Sequence, residues 1–430
     1  MLTGTLAAAT VVLLSIDGLK PDYVLEADAH GLKVPNLRRL VEDGTHATAV
    51  EGVVPTVTYP SHATMLTGVA PARHGIYSNH PFDPLSRNLD GWYWYASDLK
   101  AETLWEAAEK AGLRTASVDW PVSVGARVTF NIAQYWRAGN AEDLKVIRAL
   151  STKGLLEEAE AALGSYPEGN DYSIAADRRR TEFIEYVTDT KQPALLTAYF
   201  SGLDTVEHQS GPYSRETFEA LEVLDGLVGR LRAKARVLAV VSDHGFLPSE
   251  RELHLNAALR EAGLIDLDGA SGAVASWRAL SWDQGGSAMI ILAKPEDAKS
   301  RDRVREILRG LPGIDRVLEK EEARSLGGYP EAAFLVGLAK GFRNGGGFSS
   351  PVVRPVKLGG THGYLPSVPD MDSAFFLAGE GIPRGLDLGR IDMRDVAPTL
   401  AAILGVSLPS AEGRDLLRSH GKNDSEVHRR

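Results

Sequence analysis

The chain has 430 residues, 43% hydrophobic and 24% charged, an ordinary globular composition with ample length for a large core. A net charge of −10 argues against long nucleic acid as a partner, while small anionic substrates stay open wherever bound dications dominate the local field. With no cysteine, disulfides, thiolate metal sites and cysteine nucleophiles are excluded, and no apolar run approaches the ~20 residues of a membrane span.

The N-terminus, MLTGTLAAAT, has no basic residue ahead of VVLLSIDG, so Val11 to Ile16 reads as a buried strand rather than a signal segment. As written, the chain is expected to be cytoplasmic; a trimmed or missed leader would make it periplasmic or extracellular. VPNLRRLVEDG (34–44) predicts a helix with Leu37, Leu40 and Val41 on one face and Gly44 as its C-cap. An irregular stretch, 80–100, carries the aromatic run Trp92 to Tyr95. TLWEAAEKAGL (103–113) predicts a second helix and RTASVDW (114–120) a strand. Strands follow at 194–204 and 236–245, each running out into acidic or histidine residues, with a long helix (214–235) between them. This alternation predicts an α/β fold: a mostly parallel sheet with helices on both faces, whose ligands bind beyond the carboxyl ends of the strands.

Residues 246–355, broken by Gly and Pro, read as an insertion or cap with a helix at 296–310 and a loop, GFRNGGGFSS, at 341–350. The catalytic core is then 1–245 and 356–410, followed by a polar tail, 411–430. There are no internal repeats.

Four segments put carboxylate and imidazole groups at expected strand ends: Asp17 in SIDG, Asp204 and His208 in LDTVEHQSGP, Asp243 and His244 in VVSDHGF, and His362 in GGTHGY. Singly, each has a plainer reading: an Asp-Gly turn, a helix cap, a solvated helix start, a surface loop. Jointly, they can converge on one rim of a parallel sheet. Zinc prefers sites built from imidazole and carboxylate, and two metals ~3.5–4 Å apart can clamp both oxygens of an in-line displacement at phosphorus. Three aspartates, three histidines and one hydroxyl suffice for two such sites.

The stretches SIDGLKPDY (15–23), VPTVTYPSHATMLTGVAPARHGIYSN (54–79), TLWEAAEKAGLRTASVDWP (103–121), LDTVEHQSGP (203–212), VVSDHGF (240–246) and GGTHGY (359–364) resemble the alkaline phosphatase superfamily, most closely its nucleotide pyrophosphatase/phosphodiesterase branch. The resemblance implies an alkaline phosphatase-like fold and a two-zinc hydrolase of phosphate diesters or nucleotide pyrophosphates, with small phosphate-ester or nucleotide substrates. It implies Asp17, Thr58, Asp243 and His244 around one zinc and Asp204, His208 and His362 around the other; carboxylate-rich sites also accept manganese or iron. Thr58 takes the nucleophile's place, giving a phospho-threonine intermediate, and Asn79 that of an amide donating to a phosphoryl oxygen, against the plainer reading of a turn cap. Where the family usually has Asn after T-[FY]-P, this chain has Ser61.

His62 and His74 are expected to support ligands or structure. Trp92 to Tyr95 read as core or loop anchors, with base stacking as the alternative, and Tyr199 as core. The glycines at 345–347 lack the Gly-Lys-[Ser/Thr] of a P-loop and read as part of a mobile cap loop. A sulfatase is disfavoured because Thr58-Tyr59-Pro60-Ser61-His62 does not fit C/S-x-P-x-R. A phosphomonoesterase or phosphonate hydrolase on the same scaffold, and a catalytically inactive binding homologue, are the remaining alternatives.

Overall fold

The computed structural model describes residues 10–88 and 91–418; the expectations for residues 1–9, for 89–90 and for the tail from 419 onward fall outside these. An eight-stranded sheet runs, in spatial order, Leu386–Asp387, Thr45–His46, Phe375–Gly379, Val237–Val241, Val11–Ile16, Leu195–Phe200, Thr115–Val118 and Phe130–Ile132. Val11–Ile16 is parallel to both its neighbours, Leu195–Phe200 and Val237–Val241, and Phe375–Gly379 is antiparallel to Val237–Val241. The sheet is therefore mixed but mostly parallel, as the alternation of the sequence predicts.

The first strand is apolar at nearly every position because both of its faces are covered. Val12, Leu14 and Ile16 pack into one core with residues of the helices Pro35–Glu42, Ile174–Lys191 and Arg215–Lys234. Val11 and Leu13 pack into a second core with residues of Thr58–Thr67, Leu104–Lys110 and Val396–Leu404. Each fully buried Leu or Val contributes about 1.5–3 kcal/mol to that arrangement. Local signals fix where helices begin: Thr103 and Glu106 form a reciprocal capping box, and the Ser214 side chain accepts from Thr217 N–H.

Gly44 is not the αL cap expected of it. The helix ends at Glu42 with Asp43 as its C-cap, and a Cβ on Gly44 would run into the Leu377 carbonyl, so glycine serves there for close approach to a strand. Between Leu247 and Thr361 no described strand joins the main sheet. Ala279–Asp283, Ser287–Leu292, Phe334–Leu338 and Ile314–Glu319 form a separate antiparallel sheet. Leu247–Leu253 pairs with Gly341–Asn344 and with Val353–Thr361. The expected loop at 341–350 thus opens with a strand: Phe342 lies over Gly313 and the Asn344 amide bonds the Ser287 carbonyl at 2.8 Å, which anchors it.

Candidate active site and metal centre

Three adjacent parallel strands deliver most of the site. Asp17 directly follows Val11–Ile16, Asp243 and His244 follow Val237–Val241, and the helix Gly202–Ser210 follows Leu195–Phe200. Asp204 and His208 stand one turn apart on that helix, on one face, rather than on a strand end. His362 comes from elsewhere, just beyond Val353–Thr361 of the three-stranded sheet.

These six residues meet. His208 Nε2 and His362 Nε2 lie 3.3 and 3.7 Å from Asp204 Oδ1, while His244 Nε2 lies 3.3 Å from both Asp17 Oδ1 and Asp243 Oδ2. Asp204, His208 and His362 form one potential metal-binding group and Asp17, Asp204 and His244 a second, the ligand atoms of each lying within 4.8 Å of one another. Asp204 belongs to both. The His244 and His362 rings stack at 3.6 Å, which presses the two groups together.

The donor atoms are aimed for a cation. His208 Nδ1 meets the Gly360 carbonyl at 3.0 Å and His362 Nδ1 the Thr56 carbonyl at 3.2 Å. A carbonyl only accepts, so each Nδ1 carries the proton and each Nε2 presents a lone pair. Asp17 Oδ1, Asp204 Oδ1, Asp243 Oδ2 and His244 Nε2 are buried without a hydrogen-bond partner. Unpartnered buried carboxylates are costly, and a dication among them would satisfy all of these atoms at once. The donor set fits a metal.

The same crowding perturbs the acids and bases. Burial, then Asp243 and Asp204, raises Asp17, and burial followed by Asp204 pushes Asp243 up to about 7. Burial opposes ionisation of Asp204 too, but His208 and His362 outweigh it and hold this carboxyl below its usual value. Burial, with His362 and His208 nearby, keeps His244 neutral, and burial lowers His362 to about 4.

Thr58 is the first residue of the buried helix Thr58–Thr67, where backbone N–H groups concentrate positive potential. Asn79 Oδ1 accepts from Tyr59 N–H at 2.9 Å, so its Nδ2 is the end that can donate to a bound oxygen. His62 Nδ1 donates to the Thr58 carbonyl at 2.8 Å and Nε2 accepts from Ser15 Oγ at 2.9 Å; burial keeps the ring neutral, at about 3. The His62 ring also sits 3.8 Å from Asp243 Oδ2, tying Thr58 to that carboxylate's surroundings. His74 is turned to Thr64 Oγ1 and Ile76 N–H, at 3.0 and 3.1 Å, and holds a turn. Ser61 is buried and its hydroxyl has no partner.

Tyr199 does more than fill the core: its hydroxyl donates to Asp17 Oδ2. The pairing of its strand with the first one sets it opposite Ser15, two residues before Asp17, a register that no local pattern in the sequence gives. The aromatic run divides, Trp94 being buried, Tyr95 exposed, and Trp92 set 5.3 Å from the Tyr59 ring.

The mostly parallel sheet with helices on both faces is consistent with the alkaline phosphatase-like fold that the resemblance implies. The chain has the fold of murine ectonucleotide pyrophosphatase/phosphodiesterase 5, with a TM-score of 0.68 at 20% identity over 96% of this chain and 99% of that one. A second structure of that protein, an inactive threonine-to-alanine variant in complex with AMP, matches at a TM-score of 0.67, 21% identity and 94% and 97% coverage. Residues 11–335 match the model of the type I phosphodiesterase/nucleotide pyrophosphatase family, and the chain belongs to it. It is 26% identical over 261 residues to an uncharacterized pyrophosphatase/phosphodiesterase of Schizosaccharomyces pombe, covering 56% of this chain and 45% of that protein. It is 27% identical over 259 residues to venom phosphodiesterase 2 of Crotalus adamanteus, covering 55% and 26%. The chain spans less than half the length of these curated relatives.

Proposed function

We propose that the chain hydrolyses phosphate diesters or nucleotide pyrophosphates at a two-zinc site, with Thr58 as nucleophile. The observation that carries this reading is the pair of three-residue groups sharing Asp204, with buried, unpartnered oxygens turned inward. Asp17, Asp243, His244 and Thr58 would hold one ion, and Asp204, His208 and His362 the other. Mixed imidazole and carboxylate donors suit zinc, with manganese or iron as substitutes.

When bound, the ions supply positive charge that favours the ionised Thr58 hydroxyl and offsets charge on the transferring phosphoryl group. Thr58 Oγ attacks phosphorus, the P–O bond to the leaving alcohol or nucleotide breaks, and a phospho-threonine remains for water to cleave. The helix N-terminus at Thr58 favours the negative charge that develops there. Asn79 Nδ2 donates to a phosphoryl oxygen while Oδ1 stays fixed by Tyr59 N–H. His62 holds the Thr58 backbone and, being neutral, adds no charge beside the phosphate. That the murine relative is inactive as a threonine-to-alanine variant, and that this variant is in complex with AMP, supports a threonine nucleophile and a nucleotide ligand.

The test is turnover of bis(p-nitrophenyl) phosphate and p-nitrophenyl thymidine monophosphate against p-nitrophenyl phosphate, with zinc added. Faster turnover of the monoester would replace the diesterase by a phosphomonoesterase. Finding neither bound zinc nor hydrolysis of any ester after zinc addition would leave the binding homologue.

A further inference from the structure

The helix that carries Asp204 and His208 has no cap of its own, since the Ser201 side chain makes no capping bond. A carboxylate from a different helix supplies it. Asp177, on Ile174–Lys191, accepts from Gly202 N–H at 2.8 Å with Oδ2 and from Ser201 N–H at 3.3 Å with Oδ1. The fit is close enough that a Cβ on Gly202 would stand 2.6 Å from Asp177 Oδ2.

Asp177 is in turn held by Arg180, which is 1% exposed. Arg180 Nη1 bonds Asp177 Oδ1 at 3.1 Å, Nε lies 2.8 Å from Asp119 Oδ2, and Nη2 donates to the Asp171 carbonyl at 2.8 Å. Asp119 directly follows Thr115–Val118, in left-handed backbone at φ 59°. Its carbonyl accepts from Gln134 Nε2 at 3.0 Å, and Gln134 Oε1 accepts from Tyr59 O–H at 2.7 Å. Tyr59 follows Thr58 and binds Asn79 through its backbone. Every side chain in this series, from Asp177 to Tyr59, is buried.

We infer that Arg180 and Asp177 are positioning residues, the centre of a buried brace of hydrogen bonds and the Arg180–Asp119 ion pair that sets the Asp204–His208 helix in register with the first turn of the Thr58 helix. The inference rests on the reading of Asp204 and His208 as metal ligands and of Thr58 as nucleophile. The geometry gives a reason for a buried guanidinium here. The brace spans two helices that share no direct side-chain bond, and only a fork of donors reaches two carboxylates and a carbonyl together. A buried network of this kind is stiff when complete and costly when broken.

The test compares Asp177→Ala, Asp177→Asn, Tyr59→Phe and the Asp177→Ala/Tyr59→Phe double variant in the full chain. Zinc binding by the wild type, measured by calorimetry, tests the metal reading first; differences between wild type and variants test the brace. Asp177→Ala is expected to weaken one zinc equivalent tenfold or more and to lower kcat more than it changes KM. Asp177→Asn, which keeps the acceptor for Gly202 N–H, is expected to recover part of both. Tyr59→Phe keeps the ring and is expected to lower kcat at least threefold, less than additively with Asp177→Ala. A folded Asp177→Ala protein with wild-type zinc affinity and kcat would overturn the inference. So would alanine and asparagine variants that are equally impaired, or fully additive effects. If Asp177→Ala does not fold, an unchanged kcat in Tyr59→Phe overturns the inference by itself.

Discussion

If two ions are held as proposed, removing them should loosen this protein by an amount that can be worked out. Three carboxylates, Asp17, Asp204 and Asp243, each hold a buried oxygen without a partner. An ion that binds only the folded chain stabilises it by about 2.7 kcal/mol at one hundred times its Kd, so two ions contribute about 5 kcal/mol. At about 2 cal/mol/K per residue, a chain of 430 residues unfolds with an entropy near 0.9 kcal/mol/K, so each kcal/mol moves the midpoint by about 1 °C. Calorimetric scans with saturating zinc and with chelator should therefore differ by about 5–6 °C. Asp243→Asn sharpens the test. Asparagine keeps the oxygen that accepts from Gly18 and His244 N–H, at 3.2 and 3.1 Å, and removes one charge beside Asp17. The metal-free variant should be no less stable than the metal-free wild type, while its gain from zinc should shrink by about half. A full zinc increment in Asp243→Asn, or a wild type indifferent to chelator, would refute the reasoning.

Thr58→Ala should lower diester turnover by several orders of magnitude with the fold and zinc content largely kept, since Asp17, Asp243 and His244 remain to hold that ion; near-normal turnover would dismiss it as the nucleophile. Asn79→Ala should cost about 10²–10³ in kcat, the usual loss for one oxyanion donor, with steady-state kinetics as the measurement. Glu109 offers a pH test away from the site. Burial raises this carboxyl, but four donors, the N–H and Oγ1 of Thr115 and of Thr129, converge on its Oε1 and hold it below the ordinary 4.5. A depressed carboxyl contributes stability above its unfolded value that disappears as the pH falls through the folded one. The stability gap between wild type and Glu109→Gln in urea should thus narrow between pH 6 and pH 3, and a constant gap would count against it.

Much of the core was legible because burial leaves a plain record. The continuous apolar run Val11–Ile16 announces a strand covered on both faces, and acidic residues after such runs point to the sheet's carboxyl rim. The convergence of Asp17, Asp204, His208, Asp243, His244 and His362 could be anticipated from that topology. Less legible was anything set by contacts distant in sequence. Asp204 and His208 sit on a helix whose start is fixed by Asp177, which no local pattern around Gly202 reveals. Gly44 looked like a cap because glycine favours left-handed backbone, yet the Leu377 carbonyl decides its presence. Gly341–Asn344 looked like loop because its pairing partners, near Arg251 and Leu253, lie far upstream.

Of the six carboxylate or imidazole residues proposed to hold metal, His362 is the one that does not follow a strand of the main sheet; it follows Val353–Thr361 of the three-stranded sheet. Asp17, Asp204, His208, Asp243 and His244 all come from segments that follow strands of the main sheet. Closing the proposed cage thus depends on the seating of Val353–Thr361 beside Leu247–Leu253, so a change that frays this small sheet would open the cage while leaving the eight-stranded sheet intact.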